Sequence, residues 1–207
     1  MQNKKWQQLL NKAVKILDLH EISRDEWTFG GGTALAIYLN HRESYDIDIF
    51  LRDVQLINTL TPRVNRNLAK DVSNYTEASS FLKLKYENGE IDFIIAPLLT
   101  TEPWKLMDVE GKKIRVETPE EIIIKKLFYR AETLKSRDVI DTAAVYAARK
   151  EKLLQQASII ASKVNPLKRR WERLKPVFPR EVQGLMVDKI ELFETAPLLF
   201  EQFLSKI

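Results

Sequence analysis

The periodicity of the chain changes once, at Thr118, and that change constrains the fold more than any other feature of the sequence. Before Thr118, short apolar runs alternate with polar and turn residues; from there to Ile207 only helical spacing is found. Asp46-Ile47-Asp48-Ile49-Phe50-Leu51 alternates carboxylate and apolar side chains, which predicts a strand. Residues 81–86 (FLKLKY) and 90–96 (EIDFIIA) flank Glu87-Asn88-Gly89, and Asn-Gly between two such runs predicts a hairpin. Trp27–Phe29 and Lys113–Glu117 read as further short strands. Residues 6–19 have apolar side chains at helical spacing, with Trp6 on the core face, and 55–72 read as helical around Pro62. Thr118-Pro119-Glu120-Glu121 is a helix start, with Thr as N-cap, Pro at the first position and Glu at the third. That helix is expected to reach about Thr133, and later breaks are expected at Asn165-Pro166, Pro176 to Pro179, and Pro197. The layout predicts an α/β (α+β) fold: a mixed sheet with flanking helices over 1–118, then a helical part over 119–207.

Composition narrows the chemistry. The 207 residues contain no cysteine, which excludes a disulfide framework, a thiolate metal site and a cysteine nucleophile, and suits a reducing cytosol. With only His20 and His41 present, a structural zinc site is not expected. No apolar run approaches the ~20 residues that span a bilayer, and the charged N-terminus does not read as a signal peptide, so the expected location is cytoplasmic, away from membranes. Charge is uneven. Residues 1–118 carry 16 Lys and Arg against 17 Asp and Glu, whereas 119–207 carry 17 against 12. The extreme is 145–180, with 10 basic against 2 acidic residues. Such a segment fits a polyanionic partner, and equally a solvated helix surface.

Alternation places Asp46 and Asp48 on one face of their strand, with Cα atoms ~6.5–7 Å apart. Two carboxylates so placed can converge on a hard cation, Mg²⁺ or Mn²⁺, although an exposed acidic edge would look the same. Upstream, Gly31-Gly32-Thr33 opens a short apolar helix. Glycine lets the backbone approach a ligand closely, and a helix N-terminus offers free N–H groups to phosphate. Asp92 lies in a strand otherwise apolar on both faces, where an acid is costly unless it is paired or metal-bound. A salt bridge to Lys83 or Lys85 across the hairpin is the competing account. Three carboxylates on neighbouring strands can hold two metals for in-line phosphoryl or nucleotidyl transfer. Farther on, Ile123, Leu127 and Arg130 share a helix face that differs from that of Lys126, which leaves Lys126 free to point away from the core. Asp138 and Asp141 share a face beside Arg137. Tyr38 and Tyr129 have rings that could stack on a base, but read as core.

Taken together, Gly-Gly, then Asp-x-Asp, then a lone Asp on a later strand resembles the DNA polymerase β-like nucleotidyltransferase superfamily. The string GGTALAIYLNHRESYDIDIF (31–50) resembles one branch, the AbiEii/AbiGii-type toxin nucleotidyltransferases, at His41, Arg42, Ser44, Asp46, Asp48 and Phe50. TPEEIIIKKLFYRAETLKSRDVIDTAAV (118–145) fits the same family at Lys126, Arg137, Asp138 and Asp141. The resemblance implies a nucleotidyltransferase-like fold and transfer of a nucleoside monophosphate from an NTP to an acceptor hydroxyl, such as that of a tRNA end or another cellular target. It implies Mg²⁺ or Mn²⁺ on Asp46, Asp48 and Asp92, a triphosphate held by Gly31, Gly32, Thr33, Arg42, Ser44 and Lys126, and catalytic places for Lys126 and Asp138. It further implies a cognate antitoxin protein as partner. The basic segment around Trp171, with Lys168, Arg169, Arg170 and Arg173, is the candidate nucleic-acid contact. The alternative of another class is a non-catalytic nucleic-acid- or partner-binding protein on the same fold.

Overall fold

The computed structural model describes residues 5–185 and 190–207, and these divide into two compact units. Residues up to Ala34, Ser44–Leu98 and Trp104–Glu117 form the first, and Leu35–Glu43, Leu99–Pro103 and the chain from Thr118 the second.

The first unit holds a seven-stranded mixed sheet. Its strands are β1 (Trp27–Gly30), β2 (Ile47–Leu51), β3 (Asn74–Ala78), β4 (Phe81–Tyr86), β5 (Gly89–Ile95), β6 (Trp104–Val109) and β7 (Lys112–Glu117), in the spatial order β3-β4-β5-β2-β1-β7-β6. β2 runs parallel to β5 and antiparallel to β1. Period-two alternation sets the two faces: Ile47, Ile49 and Leu51 of β2 and Ile91 and Phe93 of β5 are buried, while Asp48 and Asp92 between them are half-buried. Helix α1 (Lys5–Leu19) lies against β2 and β5 and buries Leu9, Leu10, Ala13, Val14 and Leu17. Each fully buried Leu or Ile of this layer contributes about 1.5–3 kcal/mol. The Asn88-Gly89 hairpin forms as expected, with Tyr86 opposite Gly89.

Several expectations are revised. The helix expected over 55–72 is two short ones, α3 (Gln55–Leu60) and α4 (Arg66–Asp71), because Pro62 forces Thr61 into extended backbone (φ −68°, ψ 135°). β3 and β6 were not expected; they are the two sheet edges, mostly exposed, and show no apolar face to read. Trp6 is half-buried rather than core.

In the second unit, Thr118 caps α5 (Pro119–Tyr129) as expected: its hydroxyl accepts from the Glu121 amide. The helix stops four residues short of Thr133. After it come α6 (Ser136–Gln156), a 3₁₀ segment (Ala157–Lys163), α7 (Val164–Leu174), α8 (Phe178–Val182) and α9 (Ile190–Leu204). α6 packs on α5 and α9 around Ile123, Leu127, Ile140, Val145, Phe200 and Phe203. Trp171 meets Phe178 and Phe200 edge-on at 5.5 Å, and its indole donates to Glu201 at 2.8 Å. α9 runs through Pro197 rather than ending there. Tyr129, expected in the core, is 51% exposed. No helix among the described residues is long and apolar enough to cross a membrane.

Candidate active site

One register row crosses the middle of the sheet: Gly30 of β1 opposite Asp48 of β2, Asp48 beside Asp92 of β5, and Asp92 opposite Lys83 of β4. Adjacent strands lie ~4.8 Å apart, so Asp48 and Asp92 are neighbours on one face. Asp46 sits just before β2, and its Oδ1 accepts the Glu90 amide at 3.0 Å. The start of helix α2 (Gly31–Leu39) closes on the same place. Gly31 has φ +71°, and a Cβ there would fall within the Asp48 carboxylate. Only glycine therefore fits both the backbone and the space. Thr33 and Ser44 fasten this segment: Thr33 Oγ1 donates to the Asp46 carbonyl at 2.6 Å and lies 3.1 Å from Ser44 Oγ. The Thr33 hydroxyl, expected to be one more donor to phosphate, is thus committed to the backbone that carries Asp46.

Asp92 makes the salt bridge to Lys83 considered for it. Lys83 Nζ donates to Asp92 Oδ2 at 2.7 Å and to Glu90 Oε2 at 2.6 Å, while Asp92 Oδ1 is buried without a hydrogen-bond partner. Burial pushes the Asp92 carboxyl above its usual range, with Glu90 and Asp46 adding to this against the opposing pull of Lys83. As the side chains stand, no three His, Cys, Asp or Glu among the described residues converge to hold an ion. Asp46 is turned onto an amide and Asp92 onto an ammonium. The donors nonetheless fit a hard divalent cation: all are carboxylate oxygens, and one of them, Asp92 Oδ1, is buried and unsatisfied.

The second unit contains a different constellation. Asp141 is fully buried and accepts from His41 Nε2 at 2.8 Å, from Arg42 Nε and Nη2 at 2.6 and 2.9 Å, and from Lys126 Nζ. Asp138, one helical turn earlier, accepts from Arg130 at 3.2 Å and from the Lys135 amide at 3.1 Å, with Lys126 at 3.6 Å. Burial would raise Asp141, but Lys126 and Arg42, and then hydrogen bonds from His41 and Arg42, hold it well below the usual carboxylate range. Lys126 is therefore 9% exposed, not turned away from the core as its helix face suggested. Asp141 is the residue that sequence reasoning undervalued. The available signal was an acid set among apolar residues, in VIDTAAV.

Of the basic segment, Lys168, Arg169 and Arg173 are exposed on α7. Arg170 is half-buried and donates to the Leu134 carbonyl at 3.0 Å. Trp171 is buried, so it offers no stacking surface.

A mixed sheet thus carries a glycine turn pressed against an Asp-x-Asp strand, with a third Asp on the adjoining parallel strand. Residues 15–204 match the family described as nucleotidyl transferase AbiEii toxin, type IV toxin–antitoxin system. The chain belongs to that family, whose reaction moves a nucleoside monophosphate from an NTP. No curated protein sequence matches it. Among solved structures it is similar to ANT(2″)-Ia in complex with adenylyl-2″-tobramycin, at 17% identity and TM-score 0.52 over 73% of this chain and 95% of that one. The solution structure of the antibiotic-resistance factor ANT(2″)-Ia gives 16% identity and TM-score 0.55 over 80% and 96%. At these identities the likeness is one of fold.

Proposed function

We propose that the chain transfers a nucleoside monophosphate to a hydroxyl of an RNA acceptor, with tRNA the leading candidate, in a reaction that requires a divalent metal, and that it is the toxin partner of an antitoxin protein. The observation that carries the reading is the row of Gly30, Asp48, Asp92 and Lys83, with Gly31 closed upon Asp48. Asp46, Asp48 and Asp92 would hold Mg²⁺ or Mn²⁺. Such an ion, when bound, screens the phosphate charge and lowers the pKa of the attacking hydroxyl. The acceptor oxygen bonds to the α-phosphorus, the bond to the bridging oxygen breaks, and pyrophosphate leaves. Asp92, beside Asp48 in the row, is placed to take the hydroxyl proton. Gly31 and Gly32 supply backbone amides to the phosphates, and Thr33 and Ser44 fix that turn in place. The family resemblance assigns Arg42 and Lys126 to the triphosphate, and Asp141 keeps both in defined positions. Asp138 supports Lys126 from the next turn.

The solved neighbour carries its adenylyl group on an aminoglycoside. For this chain the exposed Lys168, Arg169 and Arg173 favour a polyanionic acceptor. The test incubates the protein with each α-labelled NTP, Mg²⁺ or Mn²⁺, and either total RNA or an aminoglycoside. Label entering RNA, and lost with Asp48→Asn, supports the reading. Label entering only the small molecule, or unaffected by Asp48→Asn, overturns it.

A further inference from the structure

Lys83 has no place in the reaction as described, yet its ammonium lies on the reactive row. It is opposite Asp92 in register, on the same face, and bonds Asp92 Oδ2 at 2.7 Å and Glu90 Oε2 at 2.6 Å. The side chain is only partly exposed, and its ammonium lies between the carboxylates of Glu90 and Asp92. A lysine on a carboxylate with one oxygen buried and unsatisfied is an unusual pairing: an ammonium has three donors, but none reaches Asp92 Oδ1. Lys85 approaches the other oxygen of Glu90, at 3.8 Å, so Glu90 has cations on both sides and Asp92 on one.

We propose that Lys83 is a positioning residue that stands in for the metal on Asp92, so that metal entry is an exchange of cations: the ion takes Asp92, and Lys83 withdraws onto Glu90. The inference rests on the metal reading above and adds to it a residue that sets how tightly the site binds its ion. Without its counter-charge, a part-buried Asp92 beside Asp46 and Asp48 would face uncompensated like-charge repulsion whenever the site was empty. With it, the charge of Asp92 has a partner at 2.7 Å, at the cost of competing with the incoming ion. Lys83 therefore trades affinity for the ion against charge balance in the empty site.

The competition has a direction and a size. A unit positive charge about 6 Å from a divalent ion, screened as in water, weakens its binding by about tenfold. Mn²⁺ binding is read by electron paramagnetic resonance without nucleotide, in wild type, Lys83→Met and Lys83→Arg, each with and without Asp48→Asn. Thermal melts confirm that every variant is folded. The expected result is Mn²⁺ bound about tenfold tighter by Lys83→Met than by wild type, binding by Lys83→Arg like wild type, and loss of that binding with Asp48→Asn. Equal or weaker binding by a folded Lys83→Met protein, still lost with Asp48→Asn, overturns the role of Lys83 and leaves the metal reading standing. Binding indifferent to Asp48→Asn in every background removes the metal reading, and the role of Lys83 with it.

Discussion

The buried hub of the second unit yields the sharpest test, because Asp141 accepts from three cationic or protonatable groups. Asp141→Asn keeps the shape and removes the charge. Four hydrogen bonds end on the carboxylate, from His41, twice from Arg42, and from Lys126. An amide in its place can accept through one oxygen only, and its NH₂ group would face donors. Lys126 would then be left in a buried setting with the more distant Asp138, and Arg42 would lose its two bonds to a buried carboxylate. Removing one partner of a buried ion pair costs about 3–5 kcal/mol, a large share of the roughly 5–15 kcal/mol that hold a domain together. For a chain of this length each kcal/mol shifts the melting temperature by about 2–4 °C, so the drop should be roughly 6–20 °C. The assay is thermal unfolding by circular dichroism at neutral pH, with Asp138→Asn in parallel. Asp138 caps α6 through the Lys135 amide and pairs with a partly exposed Arg130, so its loss should cost less, about 1–2 kcal/mol. A change under about 1 kcal/mol in Asp141→Asn, or a larger one in Asp138→Asn, would refute the assignment of Asp141 as the hub.

Acid should expose the same group. The folded Asp141 carboxylate is held well below its ordinary value, so the unfolded chain binds a proton first, and stability should fall as pH drops below about 4 and onward through the folded pKa; Asp141→Asn should melt with a flatter dependence across that range. Gly31→Ala, which puts a Cβ into the Asp48 carboxylate at φ +71°, should lower stability by about 1–3 kcal/mol and reduce NMP transfer more than tenfold; unchanged transfer in a folded protein would count against the glycine cradle. Reversal of charge at Arg169 and Arg173 should reduce the log–log salt slope of RNA binding by about 0.7–0.9 per lost phosphate contact without altering NTP binding; identical slopes would remove α7 from the acceptor site. Lys126→Met should impair NTP use while leaving Mn²⁺ binding intact, and a parallel loss of Mn²⁺ would place Lys126 in a different role.

What the sequence made legible, and what it did not, follows from where each residue gets its neighbours. Asp48 and Asp92 could be read because a strand has period two, whereas Asp46 lies just before β2. Once Ile47, Ile49, Ile91 and Phe93 are assigned inward, the acids have only one face left, and the parallel register of β2 with β5 then sets Asp48 beside Asp92. The hairpin at Asn88-Gly89 and the helix start at Thr118 were legible because their signals are local. The edge strands β3 and β6 were hidden because neither buries a face, so no alternation was imposed on them. The helical cluster was hidden for a different reason. An acid within Val139-Ile140-Asp141-Thr142-Ala143 can be a surface residue or a buried hub, and the two differ only in what arrives from elsewhere in the chain. Here His41 and Arg42 come from about a hundred residues upstream, a separation that no window of helical periodicity reports. Lys126 shows the same dependence. Its helix face suggested solvent, but α6 packs against α5 and brings Asp141 to it, and a lysine can lie at 9% exposure because that carboxylate is there to receive it. A strand-borne acid row is thus specified by its own segment, whereas a helix-borne ion cluster is specified only by the assembled fold.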